Sequence, residues 1–459
     1  MSSSNPICRR ICGRPWRRSE GEGRSVTNNG GIRARVGPYG PMVLFVVLHA
    51  VIILVLFGGA FPNEGLTDSR SLFHFFAQRI TSGDFPYRDF SLEYPPVSLI
   101  FFLIPRLFAA SESGYHIAFA VQTLLLDILG LIMLRSLARR LGYSEAGTLF
   151  GATVLLLAMG PMAVDHFDFA VGILTLGAVY AFVRGWRTTA WIVLALAAMA
   201  KIFPIVIAPL FVLYLWRQGE YREIWKGGGI FGAVLLAIAA PFLLKAFDGF
   251  VDSFTYHSER GLQIESTYAS AILLGDEWGI GTAKLNFDHG SWNLAGNSPD
   301  ALARFSPVIT GILLLLLYNF YRWFQLSRSL SHQPIHERWL ITFAALAVIL
   351  FMLSNKVFSP QYMLWLYPLA AVSAGTHRPA VCAAFAAAFF LTQEIYPYDY
   401  PGGVGRWVGD HIFPTNYLDL VAKETYAVYV VAVRNAALGA IAVWLGARAL
   451  RAAEEVTIR

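Results

Sequence analysis

Charged side chains are scarce in this chain, with only 14% of its 459 residues being Asp, Glu, Lys or Arg, so the places where they gather stand out. The longest gathering is FPNEGLTDSRSLFHFFAQRITSGDFPYRDFSLEYPP, residues 61–96. Asp68 opens an amphipathic stretch in which Leu72, Phe73, Phe75, Phe76 and Ile80 recur at helical spacing. A carboxylate there has two readings: it caps the helix, as Thr67 also could, or it takes a proton as a general base. Further on, Gly83-Asp84 and Pro86 signal a turn that carries Arg88 and Asp89, and Glu93 and Tyr94 lead into a Pro-Pro pair. Carboxylates accept hydrogen bonds from hydroxyls and Tyr87 offers a stacking face, which suits sugar recognition. The competing reading is a surface turn with local ion pairs.

Four further stretches carry chemistry. Lys201 sits in AMAKIFP within an apolar region, where an ammonium either lines a polar cavity and binds an anion or snorkels to an interface. Pro204 beside it should break the helix. YHSERGLQIEST gathers His257, Arg260, Gln263 and Glu265; the arginine fork and a protonated histidine are phosphate binders, and a solvated loop helix is the alternative. SNKVFSPQY adds Lys356, Gln361 and Tyr362. Asp165 and Asp168 flank a histidine in DHFD, which could bind a metal, although two carboxylates and one histidine in a tight turn are a weak signal. No glycine-rich phosphate cradle and no HExxH occurs. An enzyme built this way needs an activated donor other than a cradled nucleotide, and a lipid-linked sugar is the donor a membrane offers.

The elements that position these residues are membrane helices. Hydrophobic residues make up 56% of the chain, and apolar runs of about 20 residues recur from Met42 onward. The net charge of +6 lies largely in the first 36 residues, which lack an apolar pattern. They read as a topology signal in contact with anionic headgroups rather than as a nucleic-acid arm. Three cysteines, two of them in that arm, imply neither a disulfide framework nor a zinc site. The run from Met42 reads as a retained first helix, not a cleaved signal.

Basic clusters belong on the cytoplasmic side. Placing them there requires that 95–108, with prolines at 95, 96 and 105, be re-entrant or interfacial. About twelve crossings follow, near 42–60, 115–135, 146–164, 168–184, 188–200, 203–216, 227–244, 306–322, 339–354, 361–375, 379–392 and 425–446. The expected fold is an all-α polytopic bundle. A disordered cytoplasmic arm, 1–41, precedes a single membrane domain, 42–446, and a cytoplasmic tail, 447–459, follows it. Outer loops at about 61–114, 245–305 and 393–424 hold the polar residues, so any reaction centre faces outward.

These stretches in this order resemble the C-type (GT-C) integral-membrane glycosyltransferases, above all glycosyltransferase family 87, which uses polyprenol-phosphate-mannose. The resemblance rests on LTDSRSLFHF, GDFPYRD, YPP, KIFP, RGLQIES and NKVFSPQYMLWLYP, spread over most of 43–368. It implies that the first outer loop floors an active site in the plasma membrane and that Asp68 is the catalytic base of an inverting hexosyl transfer, with mannose the leading sugar. Arg260, Lys356, His257 and Lys201, in that order, are the candidates to neutralise the leaving phosphate. Arg88, Asp89, Glu93, Tyr94, Gln263, Glu265, Gln361 and Tyr362 are the other substrate-binding candidates. The implied partners are a lipid-linked donor, a glycolipid or polysaccharide acceptor of the cell envelope, and membrane lipid; no cofactor beyond the lipid-linked donor is predicted, and a divalent-metal requirement and the oligomeric state are left open. DSRSLFHF departs from the D-x-x-V-Y pattern of many relatives, so glucose, arabinose and aminoarabinose stay open beside mannose. The alternatives are a flippase for a polyprenyl-linked glycan, which would carry an inverted repeat, and a structural envelope protein, in which Asp68 would be dispensable.

Overall fold

The computed structural model describes residues 40–58, 68–327, 333–374, 379–396 and 420–457. Thr67, nearly all of the expected basic arm and most of the expected last outer loop lie outside them. By its contacts the chain divides into Met1–Val43 and Leu44–Arg459; of the first unit only the opening turn of a helix, residues 40–43, is described.

Apolar runs become helices because a backbone in hydrocarbon must satisfy its own hydrogen bonds. Helix α1 (Gly40–Phe57) is followed by a π-helical turn (Asp68–Leu72), α2 (Phe73–Thr81), α3 (Ser98–Phe108), α4 (Glu112–Leu141), α5 (Glu145–Met159), the short α6 (Met162–Asp165), α7 (Asp168–Val183) and α8 (Arg187–Ala200). A 3₁₀ turn (Phe203–Ile207) leads into α9 (Ala208–Gln218), α10 (Tyr221–Lys245) and α11 (Phe247–Glu259). After α12 (Thr267–Glu277) come α13 (Asn297–Leu326), α14 (Gln333–Ser354), α15 (Met363–Ala374), α16 (Pro379–Ile395) and α17 (Leu420–Thr457). Local chemistry sets the ends. Ser111 and Ser144 cap α4 and α5 through Gly114 N and Gly147 N, and Gly142 closes α4 at φ +65°. Pro204 lacks a donor, and the chain duly breaks at an extended Lys201 between α8 and the 3₁₀ turn.

Most expected spans fall on a single helix, but 146–164 covers both α5 and α6, and 203–216 and 361–375 begin in 3₁₀ turns, Phe203–Ile207 and Pro360–Tyr362. Among the described residues, six helices are long and apolar enough to cross a membrane: α1, α4, α10, α13, and the parts of α14 and α17 from His336–Ser354 and Tyr426–Glu454. The other apolar helices are shorter, so the expected count of about twelve crossings requires these to span as well. The segment expected to be re-entrant or interfacial forms the 11-residue α3.

Helix α7 is buried almost along its whole length, against α8, α15 and α4. It approaches α15 so closely that a Cβ on Gly172 would overlap the Leu364 carbonyl oxygen. A polar network that the sequence had not singled out ties α1, α4, α5 and α15 inside this apolar packing. His49 Nδ1 lies 2.6 Å from Asp127 Oδ2, and its Nε2 lies 2.9 Å from Thr153 Oγ1. Thr153 donates to the Leu149 carbonyl, so it accepts from Nε2, and the Tyr367 hydroxyl donates to Asp127 Oδ1 at 3.1 Å.

A layer of loop elements lies at the end of the bundle where the sequence concentrates polar residues. Here the sequence suggested an amphipathic helix opening at Asp68 and capped by that residue or by Thr67. Instead it starts at Phe73 without a side-chain cap, and Phe73, Phe76 and Ala77 are buried in protein. Phe73 stacks on Phe102 of α3 at 4.5 Å and meets Phe167 edge-on at 5.5 Å, because aromatic partners were available there. One feature departs from a purely helical reading. Strands β1 (Leu262–Gln263), β2 (Lys284–Asp288) and β3 (Ser291–Ala295) form an antiparallel sheet in the order β1-β3-β2. The two-residue turn between β2 and β3 is His289-Gly290, with φ +49° and +66°, the signature of a type I′ hairpin.

Removing one partner of a buried charged pair strands the other. Asp127→Leu and His49→Leu should each destabilise by roughly 3–5 kcal/mol. The double substitution should cost less than their sum, as thermal unfolding of the purified proteins will show.

Candidate active site

The loop layer encloses a cavity of about 610 Å³. Its lining includes Asp68, Glu93, Tyr94, His166, Arg260, Gln263, Glu265, His289 and Gln361.

Asp68 is held by its backbone. The Asp165 carboxylate accepts from Asp68 N (Oδ2, 3.2 Å) and from both Ser69 N and Ser69 Oγ (Oδ1, 3.1 and 2.6 Å). It therefore caps the π-helical turn from another part of the chain, satisfying donors that a helix start leaves free. Ser69 Oγ also lies 2.7 Å from His116 Nδ1. With its backbone pinned, the Asp68 side chain is 26% exposed to the cavity, and its Oδ2 is 3.4 Å from His166 Nε2. Burial pushes its carboxyl up to about 6; His166 works against this, whereas Asp165, Asp168 and Glu93 reinforce it.

Asp68, Asp165 and His166 bring one ligand atom each to within 4.8 Å of one another, close enough for a metal ion, and His166 Nδ1 has no hydrogen-bond partner. Asp165 already accepts three hydrogen bonds, however, so the trio reads at least as well as a scaffold for Asp68. The sequence had weighed DHFD as a metal pattern; the structure separates its members, since Asp168 turns to Lys201.

Arg260 faces the cavity with one recorded partner, Ser291 Oγ at 3.0 Å from Nη2, while its Nε is buried without a partner. Lys356, which does not itself line the cavity, stands behind it and donates from Nζ to the Ser258 carbonyl at 2.6 Å. Burial and the Arg260 charge push the Lys356 amine down. Neither cation has a carboxylate within ion-pair distance among the described residues. Gln263 joins this wall: its N donates to Lys356 O, its Oε1 accepts from Phe358 N, and its Nε2 donates to Glu265.

Behind Glu265 stands Arg434 of α17, at 0% exposure. Its Nη1 donates to Glu265 Oε2 at 2.9 Å and its Nη2 to the Glu265 carbonyl at 2.8 Å. Burial still raises the Glu265 carboxyl to about 7. Sequence reasoning missed Arg434, although an arginine inside the apolar run 425–446 was the available signal. Tyr256, His289, Ser291 and Tyr396, also in the lining, were singled out by no motif.

Several candidates do not line the cavity. Arg88 and Asp89 pair with each other at 2.8 Å, and Asp89 accepts from Phe85 N; Arg88 holds the Asp89 carboxyl down to about 2. Lys201 donates to Asp168 Oδ1 at 2.6 Å, sharing that atom with the Trp365 indole, inside a ring of Tyr94, Phe167, Tyr362 and Trp365. Tyr362 stacks on Trp365 at 3.7 Å. His257 Nε2 donates to the Glu93 carbonyl at 2.9 Å, which fixes the backbone of a lining residue.

A helix bundle apolar enough for a membrane, with a polar cavity built by its loops, defines a membrane-embedded protein whose chemistry belongs to those loops. The sequence comparison then supplies the family: the glycosyltransferase family 87 model matches residues 92–354, more than half of the chain, and the chain belongs to that family. Asp68 and Arg434 lie outside the matched stretch. No curated protein matches the chain. Two crystal structures of ArnT from Cupriavidus metallidurans are similar at 16% identity. The form bound to undecaprenyl phosphate has a TM-score of 0.41 and covers 90% of this chain and 78% of that one; the apo form has 0.43, with 89% and 77%.

The loop of residues 83–97 docks on α11 where Gly249 meets the Tyr87 carbonyl, and a Cβ on that glycine would overlap the oxygen. Tyr87 is itself held at φ +66°, its hydroxyl on the Tyr94 carbonyl. Gly249→Ala should therefore destabilise by about 1–3 kcal/mol, read as a lower melting temperature, and loosen the loop to proteolysis.

Proposed function

We propose that the protein transfers a hexose, with mannose the leading choice, from a polyprenyl-phosphate donor to a glycolipid or glycan acceptor at the outer face of the plasma membrane, inverting the anomeric centre. The observation that carries this reading is one cavity lined by a carboxylate with a raised pKa and by an arginine with no carboxylate partner among the described residues. Family membership supports glycosyl transfer; the donor, the sugar and the acceptor are our inference. That inference draws on the undecaprenyl phosphate held by the similar ArnT structure and on the sequence resemblance.

In this mechanism the acceptor hydroxyl loses its proton to an Asp68 carboxylate oxygen as the acceptor oxygen bonds to the anomeric carbon. The bond from that carbon to the phosphate oxygen breaks on the opposite face, and polyprenyl phosphate leaves with the electron pair. Negative charge builds on the departing phosphate, where Arg260, with Lys356 behind it, neutralises it. Asp165 and Ser69 hold the base in place, and Glu93, Gln263 and Gln361 offer polar atoms to the sugar hydroxyls. The divalent-metal question is decided by assay with and without chelator.

Transfer of labelled mannose from polyprenyl-phosphate-mannose, in membranes expressing the wild type or Asp68→Asn, tests the reading. We expect the variant to lose about 10²–10⁴-fold at equal expression. Equal transfer by both would remove Asp68 from catalysis, and no transfer by either would remove this donor. Arg260→Gln should slow the chemical step by about 10²–10³-fold.

The pH profile has a definite sign. A general base must be ionised, so kcat/KM should be flat above about pH 7 and fall tenfold per unit below about 6. Because the folded-state pKa of Asp68 lies above its unfolded value, ionisation opposes folding as pH rises through this range. Asp68→Asn should consequently melt at or above the wild-type temperature at pH 7.5, while the two converge at lower pH.

A further inference from the structure

The small sheet has two chemically different faces. Residues paired across neighbouring strands share a face, and successive residues along a strand alternate between faces. One row across the sheet is Gln263, Asn293 and Asn286; the next is Leu262, Leu294 and Leu285. Ser291 falls on the first face. Trp292 and Phe287 fall on the second, where their rings meet edge to face with centroids 5.3 Å apart. Gln263 and Ser291 line the cavity, and Ser291 Oγ accepts from Arg260. The polar face is therefore cavity wall, and the apolar face is turned away from the cavity.

Helices cover only part of that apolar face. Leu262 and Leu294 are buried with Ala269 of α12 and Ala303 of α13. Further along the same row, on the edge strand β2, Leu285 is 57% exposed, and Phe287 beside it is 58% exposed. The segment leading into β2 adds Trp278 at 61% and Ile280 at 78%. Four large apolar side chains thus stand uncovered at one edge of the loop layer, which in water would be an invitation to aggregate.

Two observations say what covers them. Only Gly296 separates β3 from α13, a span whose exposed residues Phe305, Val308, Ile312 and Leu315 recur at helical spacing and form a lipid-facing stripe. The sheet therefore sits directly on the end of a membrane span. Trp278 Nε1 also donates to the Tyr429 hydroxyl at 3.1 Å, within the first turn of the Tyr426–Glu454 span, and tryptophan and tyrosine concentrate at that depth. A free strand edge cannot enter hydrocarbon, because its unpaired N–H and C=O groups would lose water. Along the headgroup layer the edge stays wet while the side chains of one face reach the acyl chains.

We propose that the β2 edge and residues 278–280 rest on the lipid surface of the leaflet at the active-site end of the bundle, with Leu285 and Phe287 among the acyl chains. His289, two residues beyond Phe287, lines the cavity, so the sheet is the partition between the cavity and the leaflet. This placement does not depend on which donor or sugar the cavity takes.

Nitroxide labels on single cysteines test it, in the full chain with Cys8, Cys12 and Cys382 replaced by serine, reconstituted in phosphatidylcholine vesicles. Collision with oxygen, which partitions into lipid, is compared with collision with a nickel chelate, which stays in water. The oxygen-to-nickel ratio in Leu285→Cys, Phe287→Cys and Ile280→Cys should match that of Val308→Cys on the α13 stripe. It should be several-fold lower in Asn286→Cys, on the other face. Ile280 lies outside the strands and decides the matter if labels in β2 disturb the hairpin. Ratios at 280, 285 and 287 as low as at 286 would put the edge in water and overturn the proposal. So would protection of these positions from both reagents, the mark of a protein surface covering them.

Discussion

The candidate active site depends on one carboxylate that does not itself face the reaction. Asp165 accepts hydrogen bonds from the backbone of Asp68, the backbone of Ser69 and the Ser69 hydroxyl. Donors at the start of a helical turn would otherwise be left unsatisfied at low exposure, at a cost of about 1–3 kcal/mol each. Asp165 removes that cost and in the same act fixes where the Asp68 side chain emerges. The π-helical turn, the start of α2 and its aromatic contacts with Phe102 and Phe167 all follow from that anchor.

Glu265, also in the lining, is anchored from behind by a buried counter-charge. Glu265 and Arg434 are both almost wholly buried, and burial alone would make either costly. Together with Asn435, which donates to the Glu265 carbonyl, they tie the start of α12 to α17. A pair of this kind adds little net stability over apolar packing, but it specifies which surfaces meet. Arg260 and Lys356 differ because no acid among the described residues pairs with them, and a cation beside a cavity suits an anionic leaving group.

Lys201 shows how a sequence signal can be real and its partner unforeseen. An ammonium in an apolar run demands compensation, and that demand was legible. The compensation is Asp168, 33 residues away in sequence, together with four aromatic rings. Arg88 and Asp89 are the simpler case, since neighbours in a turn pair locally whatever the fold does.

By itself the sequence determined most of the helices, because a run of apolar residues in a membrane has almost no other way to satisfy its backbone, and serine, glycine and proline mark where several of them end. It also marked the loops that carry the chemistry, since charged groups are excluded from lipid and must collect elsewhere. Only the tertiary structure decided which of those groups share a cavity. Asp68 meets Asp165, and Glu265 meets Arg434, across 97 and 169 residues of chain. No local periodicity encodes such contacts; they arise from helix packing, in which close approaches such as Gly172 on Leu364 set the spacing. The small sheet was equally hidden, because strands of two to five residues leave too short a pattern to read.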